Sequence, residues 1–157
     1  MKSLSAPLAA TFLLGSGLLL GSAPPPAHAG LGQPATSVSA DRARMKGQLR
    51  QRAGVGYTVE AITMPSGTVV KEFVSPAGIV FAVSWHGPTM PDLKQTLGSQ
   101  YFSQLEAAQK RRRFGHNHVE VRSSKFVLHA GGHMRAFYGM AYVPSLVPSG
   151  VSLSDLH

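Results

Sequence analysis

Residues 57–85 read YTVEAITMPSGTVVKEFVSPAGIVFAVSW, and this stretch decides the fold. β-Branched and aromatic residues dominate it, and such side chains fit the pleated, half-buried surface of a sheet. Two similar turn sequences, PSG at residues 65–67 and PAG at residues 76–78, divide it into three runs. Proline sets φ at the first central position of a tight turn, and glycine accepts the positive φ that closes it. We therefore predict a meander of three consecutive antiparallel strands.

Side chains alternate along the third run with the period of two that is expected of a strand. The alternation predicts one face with Ile79, Phe81, Val83 and Trp85 and a second face with Val80, Ala82 and Ser84. In the middle run, Val69 and Phe73 are predicted to lie on the face opposite to Glu72.

Helical signals flank the meander on both sides. Upstream, Asp41 lies where the dipole of a helix favours a negative charge, and Gly54 and Gly56 are expected to end that helix. Downstream, a proline and an aspartate at residues 91–92 open a second helix, whose apolar residues recur at four-residue spacing. The basic run at residues 110–113 closes it. We predict two helices.

The C-terminal third returns to strand signals. Residues 118–130 and residues 134–143 form two further β-type runs. The Gly131-Gly132 pair between them is typical of a two-residue hairpin turn. Runs of strands with helices segregated to one face favour an α+β fold. We predict an antiparallel β-sheet, made of the three-stranded meander plus this C-terminal hairpin, with the two helices packed on it.

The N-terminus has the layout of a secretory signal peptide. Lys2 is followed by an apolar run, and Ala27-His28-Ala29 offers a cleavage site with small residues. An uncleaved anchor is the alternative, but the run is short and rich in glycine for a spanning helix. We expect a periplasmic or secreted protein that is cleaved near Ala29. The predicted organisation is a signal peptide at residues 1–29, a single α+β domain at residues 30–143 and an irregular tail at residues 144–157.

Composition limits the chemistry and the partners. The 157 residues include no cysteine, which excludes disulfides and thiol nucleophiles, and they carry a formal net charge of +8. Such a charge attracts anionic surfaces in a salt-dependent way. For an exported protein the expected partner is an envelope component or another protein, with an anionic polymer or a lipid headgroup as candidates. We expect no nucleic acid partner and no transmembrane segment after cleavage.

Catalytic motifs are missing from the sequence. It contains no Gly-x-Ser-x-Gly nucleophile elbow and no glycine-rich phosphate loop. Its seven acidic residues are scattered, which makes a pair of catalytic carboxylates hard to build. We assign no catalytic residue, expect no cofactor, and consider an enzyme unlikely.

Two blocks of the sequence resemble a known family. They are SGTVVKEFVSPAG at residues 66–78 and VFAVSWHGP at residues 80–88, and the segments around residues 37–42 and 91–102 are similar too. The resemblance is to a family of small exported Gram-negative proteins that is catalogued as domain of unknown function 2844. It implies export and a compact domain. It brings no catalytic or binding residues.

Two basic segments are candidates for binding an anionic surface. They comprise Arg42, Lys46 and Arg50 in the first predicted helix and Lys110, Arg111, Arg112 and Arg113 at the end of the second. The plainer alternative for the second segment is a helix C-terminus whose cations interact with the dipole. A shared face would favour one anionic-surface patch.

The strand end around Trp85 is a candidate pocket. Trp85, His86 and Asp92 together offer an aromatic wall and an acid–base pair. The alternative assigns Trp85 to the core and Asp92 to the dipole of the following helix.

Histidines are the candidates for a metal site. His116 and His118 are two apart at a predicted strand start, and His129 and His133 flank the predicted glycine turn. Imidazoles at such spacing can bind Zn or Cu. Solvated histidines at strand edges are the alternative. The sequence therefore predicts a non-catalytic binding or envelope-associated domain, with a periplasmic metal-binding protein or an enzyme centred on residues 85–92 as alternatives.

Overall fold

A computed structural model describes residues 30–111 and 118–156. The predicted signal peptide therefore lies outside the described residues, as do Arg112, Arg113 and His116. The helices are α1 (Ser37–Met45), α2 (Leu93–Leu97) and α3 (Ser99–Arg111). The strands are β1 (Gln48–Ala53), β2 (Thr58–Thr63), β3 (Val69–Val74), β4 (Val80–Gly87), β5 (His118–Arg122), β6 (Val127–His133) and β7 (Ala136–Tyr142).

All seven strands form one antiparallel sheet in the order β1-β2-β3-β4-β7-β6-β5. The predicted meander is confirmed, because β2, β3 and β4 are consecutive neighbours. Its two turns close with hydrogen bonds from Gly67 N to Met64 O (2.9 Å) and from Gly78 N to Ser75 O (2.8 Å). Both glycines have positive φ, 87° and 75°, as the turn sequences require.

The α+β class is confirmed, but the predicted number of strands was too small. Residues 48–53 form strand β1, where the sequence predicted a continuation of the first helix. The helix ends at Lys46, which has a left-handed conformation (φ 51°). Every side chain of β1 is exposed, so this edge strand shows no apolar periodicity. Its backbone pairs with β2 along its whole length.

Two further expectations need correction. The second helix is divided into α2 and α3, because Gly98 at the junction has φ 77° and ψ 156°, outside helical geometry. The pair Gly131-Gly132 lies inside β6, and the hairpin turns instead at Met134 and Arg135. Arg135 has φ 67°, so a residue other than glycine takes the left-handed position there.

The helices cover one face of the sheet, which we call the helical face. Its buried cluster centres on Trp85, with Val70 and Val83 from the sheet and Leu97 and Leu105 from the helices. We call the other side the open face. A register shift against β3 at Phe73–Val74 lets Phe81 join Phe73 in the core of the open face, so its predicted place beside Trp85 was wrong.

The C-terminal tail crosses the open face. It contains two short 3₁₀ turns, Pro144–Leu146 and Leu153–Asp155. Leu156 is fully buried in the same cluster as Phe73 and Phe81. The tail therefore covers part of the open face and leaves the rest uncovered. Among residues 30–111 and 118–156, no helix has the length and apolar character needed to cross a membrane.

Candidate functional site

One cross-strand row of side chains runs across the open face, and we call it the polar row. It consists of Arg50, Ala61, Lys71, Ser84, Met140, His129 and Glu120, one from each strand. Because neighbouring strands are about 4.8 Å apart, the row is roughly 29 Å long. It carries cations at the β1 end and a carboxylate at the β5 end.

A cavity of about 440 Å³ lies over the middle of the polar row. Its lining residues are Ser84, Trp85, His86, His129, Tyr138, Gly139, Met140 and Leu156. The walls are predominantly apolar, and the side chains on the open face contribute four polar groups: the imidazoles of His86 and His129 and the hydroxyls of Ser84 and Tyr138. Strand alternation turns these four side chains toward the open face, and Leu156 of the tail forms one wall.

The β5 side of the cavity contains a charged contact. Nδ1 of His129 lies 4.0 Å from Oε1 of Glu120, its direct neighbour across β5 and β6. Nε of Arg122 donates to the same oxygen. This hydrogen bond lowers the pKa of Glu120, so the carboxylate stays charged beside the imidazole.

A second, wider groove of about 870 Å³ lies on the same face, over β1, β2 and β3. Arg50, Arg52 and Lys71 line it, together with apolar side chains of β2 and β3. Asp155 of the tail is the one acidic residue in its lining. We call it the basic groove. It adjoins the cavity, because Lys71 of the groove and Ser84 of the cavity are direct cross-strand neighbours.

Two carboxyl groups are buried together on the helical face. Glu72 of β3 and Asp41 of α1 are both 0 % exposed, and Nε2 of Gln95 donates to Oδ1 of Asp41 at 2.6 Å. Burial, followed by the negative charge of Asp41, raises the pKa of Glu72 to about 9. Glu72 is therefore protonated at neutral pH, next to Asp41, whose own pKa is also raised by burial. Neither oxygen of the Glu72 carboxyl group has a hydrogen-bond partner in the described part of the chain.

The three residues of the predicted pocket at the strand end do not converge. Trp85 packs into the helical face, whereas His86 lies on the open face. Oδ1 of Asp92 accepts hydrogen bonds from the backbone N–H groups of Lys94 (3.0 Å) and Gln95 (3.1 Å). Asp92 is thus the N-cap of α2, and His86 lines the cavity without it.

The predicted metal-binding histidines lie on neighbouring strands. His129 and His133 are four residues apart on the single strand β6, about 13 Å along its axis, since a strand rises roughly 3.3 Å per residue. His118 is the cross-strand neighbour of Gly131, between them. In the part of the chain that the structure describes, no three His, Asp or Glu residues form a group able to hold a metal ion.

The two predicted basic segments lie at different parts of the sheet. Helix α1, which carries Arg42, contacts β2, whereas α3, which ends at Lys110 and Arg111, contacts β5 near the opposite edge. Lys46 is the C-cap of α1. Arg50 belongs to β1 and lines the basic groove, where it meets Lys71 instead of the α3 cations.

Several lining residues were missed by sequence reasoning. Tyr138 and Met140 alternate with buried residues of β7, and this period of two could have marked them as open-face residues. The same period of two could have placed Lys71 on the face of β3 that carries Phe73. The pairing of β4 with β7 could not be read from the sequence, because about fifty residues separate the two strands.

The comparisons with known proteins agree with the resemblance noted in the sequence. No curated protein and no solved structure matches the chain. The family model described as "Protein of unknown function (DUF2844)" matches residues 27–156, most of the chain. The chain therefore belongs to the DUF2844 family.

Proposed function

We propose that this protein is an exported, non-catalytic binding domain whose site is the cavity on the open face. The ligand is a small, largely apolar molecule. The observation that carries the proposal is the cavity itself, about 440 Å³ in volume with mostly apolar walls and a few polar groups. Small-molecule sites have this volume and this composition.

The polar groups of the cavity provide orientation. His86, His129 and Tyr138 offer hydrogen-bonding groups that a ligand can reach, since His86 and Tyr138 are exposed and His129 is partly exposed. Apolar burial supplies affinity, at about 25 cal/mol per Å² of apolar surface removed from water. This division of roles is typical of binding sites in which few polar contacts decide specificity.

Export is the second part of the proposal. The N-terminal layout of a charged residue, an apolar run and a small-residue cleavage site supports it. We expect the mature protein to begin at Gly30 and to be found in the periplasm or outside the cell. N-terminal sequencing of the protein recovered from envelope and culture fractions checks this, and an intact Met1 in the cytoplasmic fraction would contradict it.

Binding of the neutral fluorescent probe N-phenyl-1-naphthylamine tests the site. We expect one probe molecule per chain, because the cavity accepts a ligand of this size. Ser84→Phe places a phenyl group in the cavity and is expected to weaken binding by about tenfold or more, that is by at least about 1.4 kcal/mol. Fluorescence titration of protein expressed from the full chain measures both values.

Thr63→Phe is the matched control for this substitution. Thr63 is exposed, and it lies on the open face in the cross-strand row next to the polar row, two strands from His86 and outside the cavity lining. The Thr63→Phe variant adds the same phenyl group to the open face. We expect its affinity for the neutral probe to stay within about twofold of wild type, a difference of about 0.4 kcal/mol. Equal losses in both variants, or no saturable binding to the wild type, would overturn the proposal.

A further inference from the structure

The polar row leads from the cavity into the basic groove, and we infer that the ligand is an amphipathic organic anion. Its apolar body occupies the cavity, and its anionic group lies over Ala61 between Lys71 and Arg50. This inference rests on the proposed function, because it names the class of ligand that the cavity binds.

The register of the sheet connects the two sites. Lys71 is the cross-strand neighbour of Ser84, so their Cβ atoms are about 5 Å apart. Ser84 belongs to the cavity, and Lys71 belongs to the groove. A ligand that fills the cavity therefore has the lysine at its nearest edge.

Ala61 leaves room for an anionic group. It lies between Lys71 and Arg50 in the polar row, and its methyl side chain is far shorter than either neighbour. The two cationic residues are two strands apart, about 10 Å between Cα atoms. Long flexible side chains on both sides of a small residue can converge on one sulfonate, carboxylate or phosphate.

The charges around the row give the ligand one orientation. Arg50 and Arg52 form no ion pair with a carboxylate in the ranges 30–111 and 118–156. At the other end of the row, the Glu120 carboxylate is paired with Arg122, so that end attracts an anion less than the β1 end does. The anionic end of the ligand therefore points toward β1. Asp155, the single acid of the basic groove, comes from the tail.

A matched pair of probes tests the inference. 1-Anilinonaphthalene-8-sulfonate has the ring system of N-phenyl-1-naphthylamine with an added sulfonate. We expect the wild-type protein to bind the sulfonate about tenfold more tightly than the neutral probe, because one charge-assisted contact contributes a difference of about this size. Arg50→Gln combined with Lys71→Met is expected to remove this preference and to change the affinity for the neutral probe by less than about twofold.

The control is Arg42→Gln combined with Lys46→Met, which removes the same two charges from the opposite side of the sheet. We expect it to keep the preference for the sulfonate, which separates a local contact from the effect of net charge. Equal affinities of the wild type for both probes, or equal losses in both double variants, would overturn the inference while leaving the cavity proposal intact. Failure of both probes to bind would instead overturn the proposed function.

Discussion

Replacing Gly139 by alanine is expected to destabilise the protein by about 3 kcal/mol, the upper end of the usual range for an overpacked core. Gly139 lies on β7 directly opposite Trp85 of β4. A methyl group at this position would lie 2.6 Å from Cε2 of the indole and closer still to Cζ2. The indole is almost fully buried among the side chains of the helical face, and this packing resists its displacement.

Urea denaturation at a single pH measures this loss. Trp85→Leu supplies the control, because the smaller side chain removes the clash while it costs stability of its own. We expect the double variant to be more stable than the sum of the two single losses predicts, by more than about 1 kcal/mol. Additive losses would show that the close approach of Gly139 and Trp85 does not determine the packing at this position.

Glu72→Gln is expected to remove a large pH dependence of stability. The folded-state pKa of Glu72, about 9, is raised above its ordinary value of 4.5. The folded protein thus binds a proton that the unfolded chain releases, so stability is complete below pH 4.5 and falls as the pH rises toward 9. At about 1.4 kcal/mol per pH unit, the wild type loses roughly 3 kcal/mol between pH 4.5 and pH 7.

Glutamine keeps the size and the neutrality of the protonated carboxyl group without its titration, and its amide nitrogen is able to donate at every pH. We therefore expect the variant to be more stable than the wild type at pH 7 and above, and nearly equal to it at pH 4.5. Free energies of unfolding measured from pH 4.5 to pH 9 show the difference. Glu106→Gln, an exposed change on α3, is the control and should follow the wild-type curve. Parallel curves for Glu72→Gln and the wild type would mean that Glu72 is not the protonated group.

The sequence predicts the meander because its turns and its side chains give the same answer. Strand β1 is missed for a physical reason: all of its side chains face water, and its arginines are good helix formers. Backbone pairing with β2 holds this strand in place, and such pairing does not require apolar residues to alternate in the sequence. The hairpin turn is missed because Arg135 takes a conformation that is usual for glycine, while a true glycine pair stands three residues earlier.

The site is predicted less completely than the fold. His86 and His129 are both found from the sequence, but in different hypothetical sites, and the structure brings them to one cavity. The reason is topological: β4 and β7 pair across a separation that no local pattern reveals. Glu72 had a usable signal, since a lone carboxylate in the apolar run of β3 either faces water or requires a buried partner.

The pairing of β4 with β7 has a consequence for folding. All other neighbouring strands in the sheet are also consecutive in the chain, so residues 48–87 and residues 118–142 form two locally connected halves. The pairing of β4 with β7 joins the two halves, and it closes the longest loop between neighbouring strands of the sheet. Contacts of this kind are formed late, because the entropy of loop closure opposes them. The cavity lies across the β4–β7 pairing, with lining residues from both halves. Each half alone carries only part of its wall, and ligand binding therefore reports that the last step of assembly is complete.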